Sequence, residues 1–246
     1  MPTLFTKSFV NRFTLVYVEP LQYSDLTFIC QQLYGQDIPC DILERMIQFN
    51  EDIRIETSEK LLFGWQGSPW EFNLRDVMRW ADLVKMHDNV DLHVPPLYLD
   101  MIYTHRFRTA HDRQRVLELF AKHVGELPLV LQKPPRLTLK PDVFSIGRVS
   151  LARSSDSGSR LVDYPDLQPL PSTLGLLKSF AKSIQISWMP ILTGPSSSGK
   201  TSMARLLASL CGVNLCEFNM NASVDAVELL GGFEQEDLIR MEQQLS

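Results

Sequence analysis

The pattern that most constrains this sequence is Gly194-Pro-Ser-Ser-Ser-Gly-Lys-Thr201, which fits G-x-x-x-x-G-K-[ST] at every defined position. In such a loop the glycines let backbone N–H groups fold around phosphate oxygens, the lysine reaches the outer phosphates, and the threonine hydroxyl binds Mg²⁺. The sequence therefore predicts a nucleoside triphosphate site, with Thr201 as the protein ligand of Mg²⁺. Its binding residues are Gly194, Pro195, Ser196, Ser197, Ser198, Gly199, Lys200, Thr201 and Ser202.

The residues on both sides of this loop have the pattern that a phosphate loop requires. Residues 189–193 are a short apolar run that predicts a buried parallel strand, and residues 200–210 have apolar side chains at helical spacing. Gly212 is the expected end of that helix, and residues 214–220 predict a second strand at the distance of a βαβ unit. This setting favours an α/β P-loop NTPase fold over a serine- and glycine-rich surface loop that matches by chance.

The sequence contains no acidic residue that is clearly placed to hold Mg²⁺ for hydrolysis of a bound nucleotide. Hydrolysis needs an acidic residue at the end of a later apolar strand, to hold Mg²⁺ beside the loop. No such strand follows residue 220, where a short helix over 226–230 is expected instead. Leu97-Tyr-Leu-Asp100 precedes the loop and leads into a helical pattern, so we interpret it as structural. We therefore expect this chain to contain half of a catalytic core and not to hydrolyse a nucleotide by itself.

Charge and composition argue against several other classes of function. The net charge is -5 and the basic residues are scattered, so no direct nucleic-acid contact is expected. No signal peptide and no apolar run of membrane-spanning length is present, which predicts a cytosolic or nuclear protein without membrane contact. The 4 cysteines form no C-x-x-C pair and are interpreted as reduced core residues, and the 5 histidines match no metal motif.

The residues before the loop divide into three parts. Residues 1–19 end in an apolar stretch at 13–18 that predicts a strand, which needs neighbouring strands for stability. Residues 20–125 are interpreted as a small helical domain. Its helices are expected at 24–34, with Ser24 as N-cap, at about 40–50, at 74–86, with Asn73 as N-cap, and at about 96–106 and 111–124.

The third part leads from the helical domain to the loop. Residues 126–171 contain a predicted hairpin within 136–152 and a flexible connector at 153–160. Residues 172–246 begin with a helix over about 173–186 and include the phosphate loop.

The sequence resembles the midasin family, giant dynein-related AAA+ ATPases of ribosome assembly with tandem ATPase modules. The resemblance is carried by an Asn-Arg-Phe turn before a strand, by Trp70-Glu-Phe-Asn-Leu-Arg-Asp76, and by Leu229-Leu-Gly-Gly-Phe-Glu-Gln235 after the phosphate loop. It implies that residues 1–125 are the end of one module's core plus its helical lid. The last part, 172–246, would be the first half of the next core, so both modules are incomplete.

The resemblance also assigns roles to two arginines. Arg12 matches an arginine finger, which stabilises charge on the phosphoryl group of a neighbouring module's ATP; the alternatives are a solvated turn arginine or a partner of Glu19. Arg75 matches the sensor arginine of the lid; the alternative is a surface ion pair with Glu71, Asp76 or Asp82. On this reading neither arginine serves Lys200, because each acts on a nucleotide of an upstream module.

The resemblance implies ATP and Mg²⁺ as cofactors and neighbouring AAA+ modules as partners. The parent would remodel pre-60S ribosomal particles and release assembly factors in the nucleolus and nucleoplasm. Other interpretations stay open: a dynein motor, a MoxR-type chaperone, or a non-catalytic nucleotide-binding module. A small-molecule kinase fits less well, because it usually carries this loop near its start.

Overall fold

A computed structural model describes residues 12–14, 16–19, 21–86, 98–125, 133–154 and 167–220. Its regular structure consists of helices and one small antiparallel sheet. None of the helices in these ranges has the length and apolarity needed to cross a membrane.

The described residues of the helical domain, 21–86 and 98–125, form five α-helices. They are α1 (Tyr23–Tyr34), α2 (Cys40–Arg54), α3 (Leu74–Lys85), α4 (Leu99–Ile102) and α5 (Ala110–His123). A π-helical turn, Ile55–Glu59, continues α2, and a 3₁₀ turn, Thr104–Arg106, follows α4.

Side chains cap the starts of α3 and α5, and the start of α1 differs from the prediction. Asn73 caps α3 as expected, since its side chain accepts a hydrogen bond from the N–H of Arg75. The predicted cap of α1, Ser24, is wrong. Gln22 occupies that position and forms a capping box with Asp25, whose carboxylate accepts a hydrogen bond from the N–H of Gln22 at 2.8 Å.

An aromatic cluster fills the core of the helical domain. The ring of Phe49 on α2 meets the rings of Trp80, Tyr103 and Phe120 edge to face, with centroids 5.6, 5.0 and 5.6 Å away. All four side chains are fully buried. Because edge-to-face rings add to the energy of apolar burial, this cluster holds α2, α3 and α5 together.

The predicted hairpin is a three-stranded antiparallel sheet. Strands β1 (Leu137–Leu139), β2 (Val143–Ile146) and β3 (Val149–Ala152) are in the order β1-β2-β3. One face of the sheet packs against two further helices, α6 (Leu174–Gln185) and α7 (Lys200–Cys211). The shared core contains the buried residues Phe144, Ile146, Val149, Leu177, Ala181, Leu207 and Cys211.

Three predicted strands are absent from the described residues, which corrects the expected βαβ unit. The strands were predicted at 13–18, 189–193 and 214–220, and the described residues of these ranges contain no strand. Met189 and Ile191 are 96% and 87% exposed. A strand is stable only when its backbone pairs with a neighbour, and no described residue pairs with these segments. Among the described residues, these apolar segments therefore have no partner strand that would bury them.

Two of the four cysteines are core residues and two are not. Cys30 and Cys211 are buried, as predicted, and burial raises the pKa of the Cys30 thiol to about 11. Cys40 and Cys216 are exposed, so the core interpretation was wrong for them. All four are free thiols. The predicted helix at 226–230, most of the connector at 153–160 and the motif at 229–235 lie outside the described residues.

Candidate functional site

The phosphate loop runs directly into α7. Gly199 is the N-cap of this helix and has φ +81°, a left-handed conformation that glycine adopts without strain. Lys200 is therefore the first helical residue, and Thr201 and Ser202 follow in the same exposed first turn. The first N–H groups of a helix have no partner within it, so this end of α7 provides donors and a favourable dipole for an anion.

The side chain of Lys200 lies across the loop. Its Nζ donates to the carbonyl oxygens of Gly194 at 3.0 Å and Pro195 at 2.6 Å, and to Ser198 Oγ at 3.3 Å. The ammonium group is thus held at the concave side of the loop by the loop's own backbone. Residues 194–199 are exposed, so a ligand can reach this group from solvent.

The geometry suits a Mg²⁺–nucleotide complex. The loop brings together one ammonium group, the hydroxyl groups of Ser196, Ser197 and Ser198, and the N-terminus of α7. Thr201 is in the helical turn where a P-loop hydroxyl binds Mg²⁺, and it is exposed. All nine predicted binding residues therefore lie in one continuous segment.

The Trp70–Asp76 motif has a structural role in the helical domain. Trp70 Nε1 donates to the carbonyl oxygen of Gly64 at 2.5 Å, and the Phe72 ring stacks on the ring of Phe107. Asp76 accepts a hydrogen bond from the N–H of Asn73 and a second from Arg106 Nη1 at 3.0 Å. The motif thus fixes the start of α3.

Arg75 is the exposed cation of this motif. Its N–H takes part in the cap, but within the described part of the chain its guanidinium makes no ion pair. The proposed surface pairs are not formed, because Asp76 binds Arg106 and Asp82 accepts a hydrogen bond from Tyr34. The exposed guanidinium at the first turn of α3 is available for an external group.

Arg12 is also exposed and lies in a turn. Among the described residues it forms no ion pair with Glu19 or any other carboxylate. Neither Arg12 nor Arg75 forms a hydrogen bond or ion pair with a described residue of the phosphate loop. The structure therefore brings the nine loop residues together and leaves both arginines outside that group.

The helix α6 connects the helical domain to the loop. Lys178 Nζ lies 2.5 Å from Asp100 Oδ2, and Ser179 Oγ lies 3.1 Å from His105 Nδ1. Just after α6, the Trp188 ring packs on the helical core with the Arg79 guanidinium 5.6 Å from its centroid. Asp100 is in α4 and in this ion pair, which agrees with its interpretation as a structural residue.

This contact predicts a pH effect on stability. Burial lowers the pKa of His105, as do the nearby charges of Lys178 and Arg113, while Asp100 opposes them. The unfolded chain, with an ordinary histidine pKa of about 6.5, binds a proton more readily than the folded chain. The free energy of unfolding should therefore decrease as the pH falls below about 6.5.

Urea unfolding between pH 7.5 and 5.5 measures this effect. In His105→Gln the decrease should be smaller, because the buried imidazole is gone. The exposed His111 provides the control, and His111→Gln should keep the dependence of the parent chain. An equal pH dependence in all three proteins would contradict the assignment to His105.

The sequence did not indicate the roles of two further arginines, Arg106 and Arg153. Arg106 binds Asp76 and lies with its Cζ 4.3 Å from the Phe72 ring centroid. Arg153 donates to the carbonyl oxygen of Leu210 at the end of α7. Their partners are 30 and 57 residues away in sequence, so no local spacing indicates either contact.

A helical domain, a small sheet, a helix and a phosphate loop in this order are consistent with an AAA+ lid followed by the start of an AAA+ core. Comparison with known proteins identifies the family within this class. Residues 25–126 match the Midasin AAA lid domain. Over 97% of its length, the chain is 39% identical to Midasin from Dictyostelium discoideum, and over 95% it is 30% identical to Midasin from Giardia intestinalis.

The chain belongs to the midasin family. It spans 4% of the length of the Dictyostelium relative and 5% of the Giardia relative, so it corresponds to a short segment of these proteins.

Proposed function

We propose that residues 194–202 bind ATP with Mg²⁺. The observation that carries this proposal is the position of the Lys200 ammonium group across the loop, next to the N-terminus of α7. Lys200 would contact the outer phosphates, the backbone N–H groups of the loop would surround them, and Thr201 would bind Mg²⁺. ATP is favoured over other nucleotides by membership in a family of AAA+ ATPases.

In a full-length protein, this segment would be part of an ATPase that remodels pre-60S ribosomal particles and releases assembly factors in the nucleus. Its direct partners would be neighbouring AAA+ modules, with contacts to particles made by other parts of the protein. The similarity to midasin supports this proposal. The net charge of -5 supports a role without direct nucleic-acid or membrane contact.

Arg12 and Arg75 would serve nucleotides other than the one at Lys200. Arg12 would act as an arginine finger for a neighbouring module, and Arg75 would sense the γ-phosphate in the module to which the lid belongs. Their exposed guanidinium groups, without ion pairs in the described residues, support these roles. Guanidinium is always charged and planar, which suits the recognition of a phosphoryl group.

Titration calorimetry with MgATP tests the proposed site. The chain should bind MgATP, and Lys200→Ala should weaken binding by at least about tenfold, because a charge-assisted hydrogen bond to phosphate is lost. Lys60→Ala removes an exposed lysine of the helical domain and should leave binding unchanged. Equal affinity in Lys200→Ala and the parent chain would overturn the proposal.

Two further measurements separate binding from the roles of the arginines. Arg75→Ala and Arg12→Ala should leave MgATP affinity unchanged, because these residues act on other nucleotides. Phosphate release should stay at background, since the described residues contain no strand that ends in an acidic residue beside the loop. Turnover that disappears in Lys200→Ala would show that the chain contains a complete catalytic site.

A further inference from the structure

The end of α7 that is opposite the phosphate loop is held by the residues that follow β3. Arg153 Nε donates to the carbonyl oxygen of Leu210 at 2.9 Å, and the N–H of Ser154 donates to the carbonyl oxygen of Cys211 at 3.0 Å. The last carbonyl groups of a helix have no partner within it. Here two of them are satisfied by the end of the sheet.

Arg153 is itself fixed by the turn between β1 and β2. Its Nη1 donates to the carbonyl oxygen of Lys140 at 2.9 Å, and its own N–H donates to the carbonyl oxygen of Asp142 at 2.8 Å. One guanidinium group therefore joins the sheet to α7. Its positive charge also lies at the helix C-terminus, where the helix dipole favours a cation.

The approach of these two segments requires a glycine. Gly212 ends α7 with φ +65°, and a Cβ atom at this position would lie 2.9 Å from the carbonyl oxygen of Ser154. Three consecutive residues at the end of α7, 210–212, therefore lie against Arg153 and Ser154.

In the described part of the chain, α7 also packs on the core of the sheet and forms an ion pair with the segment that follows it, between Arg205 and Glu217 at 2.6 Å. The segments before and after it, 189–193 and 213–220, form no strands there, so α7 is positioned by α6, by the sheet and by Arg153. Leu207 and Cys211 are the buried part of the apolar contact, and Met203, Leu206 and Leu210 are partly buried beside them. The polar contacts between α7 and the residues after β3 are at its C-terminal end, where Arg153 binds.

A helix transmits a tilt from one end to the other. With a rise of about 1.5 Å per residue, the 12 residues of α7 span about 18 Å. A tilt of about 5° at the C-terminus would move the N-terminus by about 1.5 Å, which is much more than the range of about 0.5 Å over which N–H···O distances vary. A substitution at Arg153 that tilts α7 would thus displace the phosphate-loop residues at the N-terminus of this helix.

We infer that Arg153 is a positioning residue for the phosphate loop, acting through the C-terminal end of α7. The inference rests on the proposed binding of ATP at this loop. It assigns to the small sheet a role in nucleotide affinity, although no residue of the sheet belongs to the loop.

The test compares MgATP affinity in three substitutions. Arg153→Gln should weaken binding by about three- to tenfold, an effect the size of one ordinary hydrogen bond, because Arg153 does not touch the nucleotide itself. Arg153→Lys keeps the cation and should recover part of the affinity, which loss of packing alone would not explain. Arg136→Gln removes an exposed arginine next to β1 and should bind as the parent chain does.

Hydrogen exchange gives a second measurement that does not depend on nucleotide. In Arg153→Gln, the amides of the last turn of α7 should exchange faster, while those of α2 should be unchanged. If the parent chain binds MgATP and Arg153→Gln binds equally well, the inference is overturned and the proposed function stands. If the parent chain and Lys200→Ala both fail to bind, the proposed function is overturned and this inference with it. If Arg153→Gln does not fold, Arg153→Lys decides, since unchanged affinity and exchange in that variant would contradict the inference.

Discussion

Replacement of Trp80 with alanine is expected to reduce the free energy of unfolding by about 3–5 kcal/mol. The side chain is fully buried, and its ring contacts Phe49, Tyr103 and Phe120 in the centre of the helical domain. Alanine would leave a cavity that these rings cannot fill, because they are held in place on α2, on the turn after α4 and on α5. Urea unfolding followed by circular dichroism at 222 nm measures the loss.

Trp65 provides a matched control for this substitution. It is in the same domain but is 72% exposed, so Trp65→Ala should change the free energy of unfolding by less than about 0.5 kcal/mol. Similar losses at both positions would contradict the assignment of the core to the aromatic cluster around Phe49.

Replacement of Asp76 with alanine is expected to cost about 2–3 kcal/mol, the second largest effect. The carboxylate takes part in the cap of α3 and binds Arg106, which is partly buried against the Phe72 ring. Its loss would leave the Arg106 charge without its carboxylate partner, and breaking a fully buried pair costs about 3–5 kcal/mol. The smaller value reflects the partial exposure of both groups.

Two variants divide this effect into its parts. Asp25 has the same capping role in α1 but is exposed, so Asp25→Ala should cost only about 0.5–1 kcal/mol. Asp76→Asn keeps an acceptor for the N–H of Asn73 and removes the charge, so its cost should lie between the other two. Equal losses in Asp25→Ala and Asp76→Ala would show that the ion pair with Arg106 adds no stability.

The sequence predicted the helices well because their signals are local. Asn73 and the apolar spacing after it were sufficient to place α3, and the glycine and lysine of the phosphate loop placed the start of α7. The nine residues that we propose as the nucleotide site are consecutive, so their proximity was predictable for the same reason. The helix starting near Cys40 was predicted too short, because its last turns continue into a π-helical turn.

The strands and the long-range ion pairs were not predictable in the same way. Residues 189–193 have the composition of a buried strand, but a strand also needs a neighbour, and composition does not supply one. The contacts of Arg106 and Arg153 depend on the tertiary fold, which brings together residues 30 and 57 positions apart in sequence. The third strand of the small sheet was not predicted because the apolar run over 144–152 contains two short strands joined by a tight turn.

The position of α6 has a consequence for the cooperativity of unfolding. Leu177 and Ala181 on this helix belong to the core of the sheet, whereas Ile186 and Trp188, just beyond it, pack on the core of the lid. Neither core is complete without this one segment, so loss of α6 would expose apolar surface in both. Because this segment contributes to both cores, we expect the lid and the loop-bearing part to unfold together in this chain.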